Sequence, residues 1–171
     1  MIKLGIIGLG GICYWLHVPQ SRATGKFEIV AAADVIEDHP FVKALEIPKY
    51  YTDYNKMLED PQIDAVVIAS PHHLHLEHCL AAFKAGKHVL LEKPLCRNMD
   101  EARAIVSAAE ESGKICMLGF CERFDNRYSY VKELISNGEL GEILSARIDH
   151  YQNFNPAPES WWRNKEKVGG G

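Results

Sequence analysis

Met1-Ile-Lys-Leu-Gly-Ile-Ile-Gly8-Leu-Gly10-Gly11-Ile-Cys13 opens the chain, a short apolar run that leads straight into closely spaced glycines. Roughly twenty residues later a second apolar run, Ile29-Val-Ala-Ala-Ala33, ends in Asp34. Each half explains the other. Gly8 permits a tight strand-to-helix turn, and Gly10 lets the backbone approach a pyrophosphate with no side chain between. The helix that follows, starting at Gly11 and Ile12, directs free N–H groups and its positive dipole end at the phosphates. An acid at the tip of the second strand can accept hydrogen bonds from the two adenosine ribose hydroxyls. Strand, glycines, helix and acid together point to a bound dinucleotide, NAD.

The third glycine of that fingerprint is replaced by Cys13. Its task is close helix–strand packing, which a small buried thiol performs; the phosphate-facing positions are intact.

Beyond this stretch, apolar and helical patterns alternate, as in a parallel sheet covered by helices on both faces. Strands are predicted near 2–8, 28–33, 49–51, 64–69, 87–91 and 115–119. Val66-Val-Ile-Ala69 and His88-Val-Leu-Leu91 are continuously apolar, as strands buried on both faces are. Helices are predicted over 11–24, 53–59, 73–85, 99–112 and 126–136. Asn98 or Asp100 caps the fourth, Gly113 ends it, and Gly86 ends the third. The fold class is α/β, a doubly wound parallel sheet over 1–120. Residues 121–141 form a connecting helix and turn, Asn137-Gly-Glu-Leu-Gly141 marking the boundary. From 142 a second, α+β domain begins, and the alternation of Glu142–Tyr151 predicts its first strand.

The 171 residues are 47% apolar and 25% charged, the profile of an ordinary globule. A net charge of −4 leaves no basic stripe for nucleic acid. No apolar run approaches the roughly 20 residues of a membrane span, and Ile2–Ile7 is too short for a signal peptide. Five scattered cysteines without a CxxC pair read as free thiols in a reduced, cytoplasmic protein.

Glu92-Lys93-Pro94 follows the fifth strand at its carboxyl end, the edge that carries the ligand crevice in open parallel sheets. A lysine there can exchange a proton with a substrate oxygen or hold it by charge. The alternative is a solvated ion pair with Glu92. Pro94 stiffens the backbone that presents Lys93.

Gly8-Leu-Gly10, Asp34, Ser70-Pro71 with His75, Ala85-Gly-Lys-His-Val89 leading into Glu92-Lys93-Pro94-Leu95, and Gly119-Phe-Cys-Glu-Arg-Phe124 resemble the glucose–fructose oxidoreductase / inositol dehydrogenase (Gfo/Idh/MocA) family. The resemblance covers the whole chain. It implies a Rossmann domain that binds NAD(P) and a second domain, a large open sheet, that supplies the substrate pocket. Gly8, Gly10 and Asp34 would hold the dinucleotide. Ser70, Pro71, His75 and Glu92 would line its ribose–nicotinamide side, and Lys93 would be the catalytic lysine. His72 stands where relatives often have Asn, and Arg163 matches a Trp-Arg pair near the cofactor. No Arg or Lys follows Asp34 directly, and its charge would repel a 2′-phosphate, which favours NAD over NADP.

His72, His75 and Cys79 have spacings that permit chelation on a helix, but two of them stand where the family contacts cofactor, so no metal is expected. Trp161 and Trp162 are core or a stacking surface. Family members continue past a Gly-Gly-Gly like 169–171 into a helix with an Asp and a His that complete the active site, so most of the second sheet is expected to lie beyond this chain. The implied reaction is hydride exchange between NAD and a hydroxyl-bearing carbon of a sugar, cyclitol or related polyol, in a homo-oligomer. The competing readings are a non-catalytic NAD-binding module or redox sensor, and a hydrolase or lyase that uses tightly held NAD.

Overall fold

The computed structural model describes residues 1–151 and 153–169. Compactness divides the chain into two units, Met1–Gly119 together with the segment from Ser160, and Phe120–Glu159. In the first, six strands form one parallel sheet: β1 (Ile2–Ile7), β2 (Phe27–Ala33), β3 (Lys49–Tyr51), β4 (Ala65–Ile68), β5 (His88–Leu91) and β6 (Cys116–Leu118). Their order is β3-β2-β1-β4-β5-β6. The order reverses between β1 and β4, and a crevice opens beyond the carboxyl ends of the strands at such a switch point.

Side chains alternate across each strand, so one sheet feeds two cores. Val66 and Ile68 of β4 join Met57, Leu58, Cys79, Phe83 and Ile105 in one layer. Val67 joins Leu4, Ile6, Cys13, Val18 and Leu45 in the other. This is why β4 reads as an uninterrupted apolar run.

The helices of this unit are α1 (Val18–Ala23), α2 (Pro40–Ala44), α3 (Tyr54–Leu58), α4 (His75–Lys84) and α5 (Met99–Ser112). Asn98 Oδ1 accepts the Asp100 and Glu101 N–H groups at 3.1 and 2.9 Å, and Gly113 closes α5 at φ +64°. Two predicted helices differ in detail. The segment predicted as helix 11–24 carries a wide π turn, Cys13–His17, ahead of α1, with the Val18 N–H bonded to the Cys13 carbonyl. Pro19 brings no N–H, and its ring excludes the carbonyl four residues back, so the ladder widens before it. The helix predicted at 73–85 starts as a 3-10 turn, His72–Leu74. The short α2 was not predicted; His39 caps it, its Nδ1 accepting the Phe41 N–H at 3.2 Å.

The segment from Ser160 holds a 3-10 turn, Trp161–Arg163, and α7 (Lys165–Val168). Arg97 Nη1 donates to the Glu166 carbonyl at 3.0 Å, and His72 Nδ1 lies 3.1 Å from the Val168 carbonyl.

In the second unit a 3-10 turn, Cys121–Phe124, precedes α6 (Asn126–Ser136). The strand predicted over 142–151 does not form: these residues are exposed and carry no ladder. A strand exists only against a partner, and an isolated extended segment gives its N–H and C=O groups to water instead. Residue 152 and the last two glycines of the 169–171 run lie outside the described residues.

Candidate dinucleotide site

The site begins where β1 stops. Gly8 has φ +88° and donates its N–H to the Ala33 carbonyl at 2.8 Å. A Cβ there would stand 2.7 Å from the Ser70 nitrogen, so Gly8 is required both by its dihedral and by the close passage of the loop after β4. Gly10 and Gly11 are different: a Cβ on either would meet no protein atom within 4 Å. Their missing side chains leave room for a ligand rather than for the protein.

Cys13, fully buried, donates its thiol to the Gly8 carbonyl at 3.2 Å and so packs the helix against the turn. Burial, aided by the charges of Glu92 and Asp34, pushes this thiol up to about 12. Asp34, at the tip of β2, accepts the Leu9 N–H at 2.8 Å through Oδ2 and the Ile36 N–H at 3.3 Å through Oδ1.

The loop after β4 is set by two histidines of α4. His75 is fully buried, with Nε2 2.9 Å from the Ser70 carbonyl and Nδ1 2.9 Å from the Pro94 carbonyl. It therefore fastens the loop after β4 to the loop after β5. His78 Nδ1 lies 2.8 Å from Ser70 Oγ, and burial lowers this imidazole to about 4, so it is neutral at pH 7.

After β5, Glu92 donates its N–H to the Ile68 carbonyl at 2.8 Å. Its Oε1 lies 2.8 Å from His17 Nε2, and its Oε2 accepts the Lys93 N–H at 3.0 Å. Burial alone would raise the Glu92 carboxyl; the His17 hydrogen bond and charge, with Lys93, outweigh it and hold the group below the ordinary carboxylate value. The Lys93 side chain is exposed, and the Lys93–Pro94 peptide is cis.

His72 is packed edge-on against Trp161 and Trp162, at 4.7 and 4.8 Å, while the two indoles stack at 4.2 Å. Burial lowers the His72 imidazole.

These pieces enclose a cavity of 840 Å³, within the roughly 300–1,000 Å³ of ligand sites. Gly8, Gly10, Gly11, Ile12, Asp34, Ser70, Pro71, His72, Glu92 and Lys93 line it. His75 and Arg163 are not among its lining residues; His75 acts from behind the wall. Val35, Ile36, His39, Thr52, Tyr54, Glu77, His78, Trp161 and Trp162 also line it. Thr52 was legible as the residue after a strand's carboxyl end. His39, Tyr54 and His78 arrive through helix placement, and no spacing in the sequence signals them. Among the described residues no group of three or more His, Cys, Asp or Glu side chains is disposed to hold a metal.

The donor set suits a dinucleotide. A glycine cradle with open space over Gly10 and Gly11 admits a pyrophosphate, and a half-buried carboxylate at the tip of β2 suits a ribose diol. A parallel sheet with this turn at its switch point is a dinucleotide-binding Rossmann domain. The chain belongs to the Gfo/Idh/MocA family: residues 2–120 match the model described as oxidoreductase family, NAD-binding Rossmann fold, and residues 128–171 match the GFO/IDH/MocA C-terminal domain.

It is 32% identical to a 1,5-anhydro-D-fructose reductase of Ensifer adhaerens, over 100% of this chain and 52% of that protein. It is 30% identical to the NADP(+)-dependent scyllo-inositol 2-dehydrogenase IolW of Bacillus subtilis, over 96% of this chain and 46% of the relative. The crystal structure of scyllo-inositol dehydrogenase from Lactobacillus casei with bound NAD(H) and scyllo-inositol superposes at a TM-score of 0.77, with 31% identity, covering 83% of this chain and 43% of that one. The chain thus spans about half the length of the relatives it matches. None of the described helices is long and apolar enough to cross a membrane.

Proposed function

We propose that this chain is the dinucleotide-binding part of an oxidoreductase that moves a hydride between NAD and a hydroxyl-bearing carbon of a sugar, cyclitol or related polyol. The observation that carries this reading is the convergence of Gly10, Asp34, Glu92 and Lys93 on one cavity at the carboxyl edge of the sheet. Bound NAD supplies the hydride acceptor. The chain's own residues do the rest. The glycine turn and the N–H groups at the start of the first helix hold the pyrophosphate, and Asp34 receives the ribose hydroxyls. Ser70, Pro71 and His72 flank the nicotinamide side, with Trp161 and Trp162 excluding water beside them. In its uncharged amine form, the Lys93 side chain takes the proton from the substrate hydroxyl as the carbon is oxidised.

NAD is preferred over NADP in this reading, since Asp34 would meet a 2′-phosphate with like charge. The substrate class is supported by relatives named for anhydrofructose and inositol. A small-molecule substrate, a homo-oligomeric assembly and a cytoplasmic setting complete the proposal. The test is calorimetric titration with NAD and NADP, joined to a polyol-dependent NADH assay on the protein and its Lys93→Ala variant. Absence of NAD binding, or turnover indifferent to Lys93, would sink it.

A further inference from the structure

Just behind the cavity wall lies a contact that the proposed chemistry does not use. His17 is not among the cavity-lining residues, yet its Nε2 stands 2.8 Å from Glu92 Oε1. The two side chains are only 11% and 14% exposed. The contact joins residues 75 positions apart, and it exists because of a local irregularity. The π turn Cys13–His17 bonds Val18 N–H to Cys13 C=O, one residue further back than an α-helix would, so His17 sits in a phase that regular helix would not give it. Such wide turns frequently accompany functional sites.

Glu92 is thereby held at both ends of its carboxylate. Oε1 faces His17, and Oε2 accepts the N–H of Lys93. The backbone on either side is also fixed, by the Glu92 N–H bond to Ile68 and by His75 against the Pro94 carbonyl. The Glu92 carboxylate itself is oriented by His17 at one oxygen and by the Lys93 N–H at the other.

We propose that His17 is a positioning residue for the Glu92–Lys93 pair, acting through the Glu92 carboxylate. Held by His17, that carboxylate stays on the Lys93 backbone and leaves the Lys93 ammonium free to reach into the cavity. Released, it can turn onto the ammonium and pair with it. The consequence for nicotinamide and substrate rests on the dinucleotide reading above; the contact itself does not.

The experiment compares wild type with His17→Ala, His17→Gln and Glu92→Gln in the full chain. Lys93 acylation by limiting acetic anhydride, read by mass spectrometry, reports the freedom of the ammonium. The Glu92 carboxyl resonance, followed against pH in 13C-glutamate-labelled protein, reports the pair; the charged or titratable groups facing it are His17, Lys93 and Cys13. NAD titration is run in parallel. His17→Ala is expected to slow Lys93 labelling about two- to fivefold, the worth of one exposed ion pair, and to move the Glu92 titration to higher pH. His17→Gln, which keeps a donor, restores most of both, and Glu92→Gln abolishes the sensitivity of Lys93 to position 17. If His17→Ala does not fold, His17→Leu, which keeps the bulk and removes the donor, is read in its place by the same two measurements. Lys93 labelling and Glu92 titration unchanged in the variants that remove the donor, His17→Ala and His17→Leu, overturn the proposal. Failure of wild type to bind NAD counts against the dinucleotide reading instead, and the two cofactor-independent readouts still decide the role of His17.

Discussion

The Asp34 carboxylate accepts the Leu9 N–H at 2.8 Å, so the acid that ends β2 is bonded to the glycine turn that ends β1. Two strands, paired in parallel with Ile7 beside Ala33, thus deliver their tips as one unit. In the proposed reading, the acid that would receive ribose hydroxyls is thereby held in register with the glycine turn before any ligand arrives. Such preorganisation lowers the ordering cost of binding.

Removing Asp34 therefore has two effects. Asp34→Ala should weaken NAD roughly 10- to 100-fold, the loss of hydrogen bonds to a charged acceptor, while weakening NADP much less. Asp34→Asn keeps an acceptor for Leu9 and should lose mainly the discrimination. Calorimetric titration of each variant with both cofactors checks this, and equal NAD and NADP affinities in wild type would remove Asp34 from its assigned role.

The two glycines of the turn should behave oppositely. Gly8→Ala forces a Cβ to 2.7 Å from the Ser70 nitrogen at a φ of +88°, and should destabilise the fold by roughly 2–4 kcal/mol. Gly10→Ala meets no protein atom, so the melting temperature should hold while NAD affinity falls. Thermal denaturation beside titration separates the two; a Gly10→Ala protein that binds NAD normally would show that no ligand passes over that position.

Lys93→Ala should leave the fold and most dinucleotide affinity intact, because the side chain is exposed and the backbone is held by Glu92 and His75. Polyol-dependent turnover should fall about 10²- to 10⁴-fold, the usual contribution of a general acid–base. Retention of a near-normal rate would make Lys93 a partner of Glu92 and nothing more.

Acid should destabilise the first unit before its carboxylates are titrated. His78 is held at about 4 in the fold against an ordinary 6.5. Between those values the unfolded chain binds a proton that the folded chain refuses, so stability is complete above 6.5 and declines as pH falls toward 4. The loss is roughly 2–3 kcal/mol if His78 acts alone, and the lowered His72 and His73 act in the same direction. Melting curves at pH 7.5 and 5 test this. His78→Gln should flatten the dependence, and a pH profile unchanged by that substitution would exclude His78 as its source.

The second unit should self-associate in solution. Leu144, Ile148 and Tyr151 are 88%, 74% and 88% exposed on a segment with no ladder, which leaves apolar surface and backbone groups open to another chain. Sedimentation over a concentration series checks it, and a monomer at every concentration would contradict the expectation.

Much of this was legible in order along the chain, and the reason differs from residue to residue. Val66-Val-Ile68 read as a doubly buried strand because a strand with cores on both faces has no polar side to show. Gly8, Gly10 and Asp34 read as a set because the two glycines follow the end of β1 and the acid follows the end of β2, where local sequence dictates the turn. The strand predicted over 142–151 failed for the complementary reason: alternation states which face would be buried, but a strand needs a partner, and none pairs with it among the described residues. The π turn at Cys13–His17 was hidden as well, although Pro19 was its visible cause.

The sequence by itself determined the parallel sheet, the glycine turn, the acid at β2 and the lysine after β5, since strand periodicity and turn chemistry are local properties of neighbouring residues. Only the tertiary structure decided that His17 meets Glu92, that His75 lies behind the wall rather than in it, and that Trp161 and Trp162 close on His72. Those contacts join residues far apart in the chain. Their geometry depends on helix phase and loop packing, which no spacing along the sequence encodes.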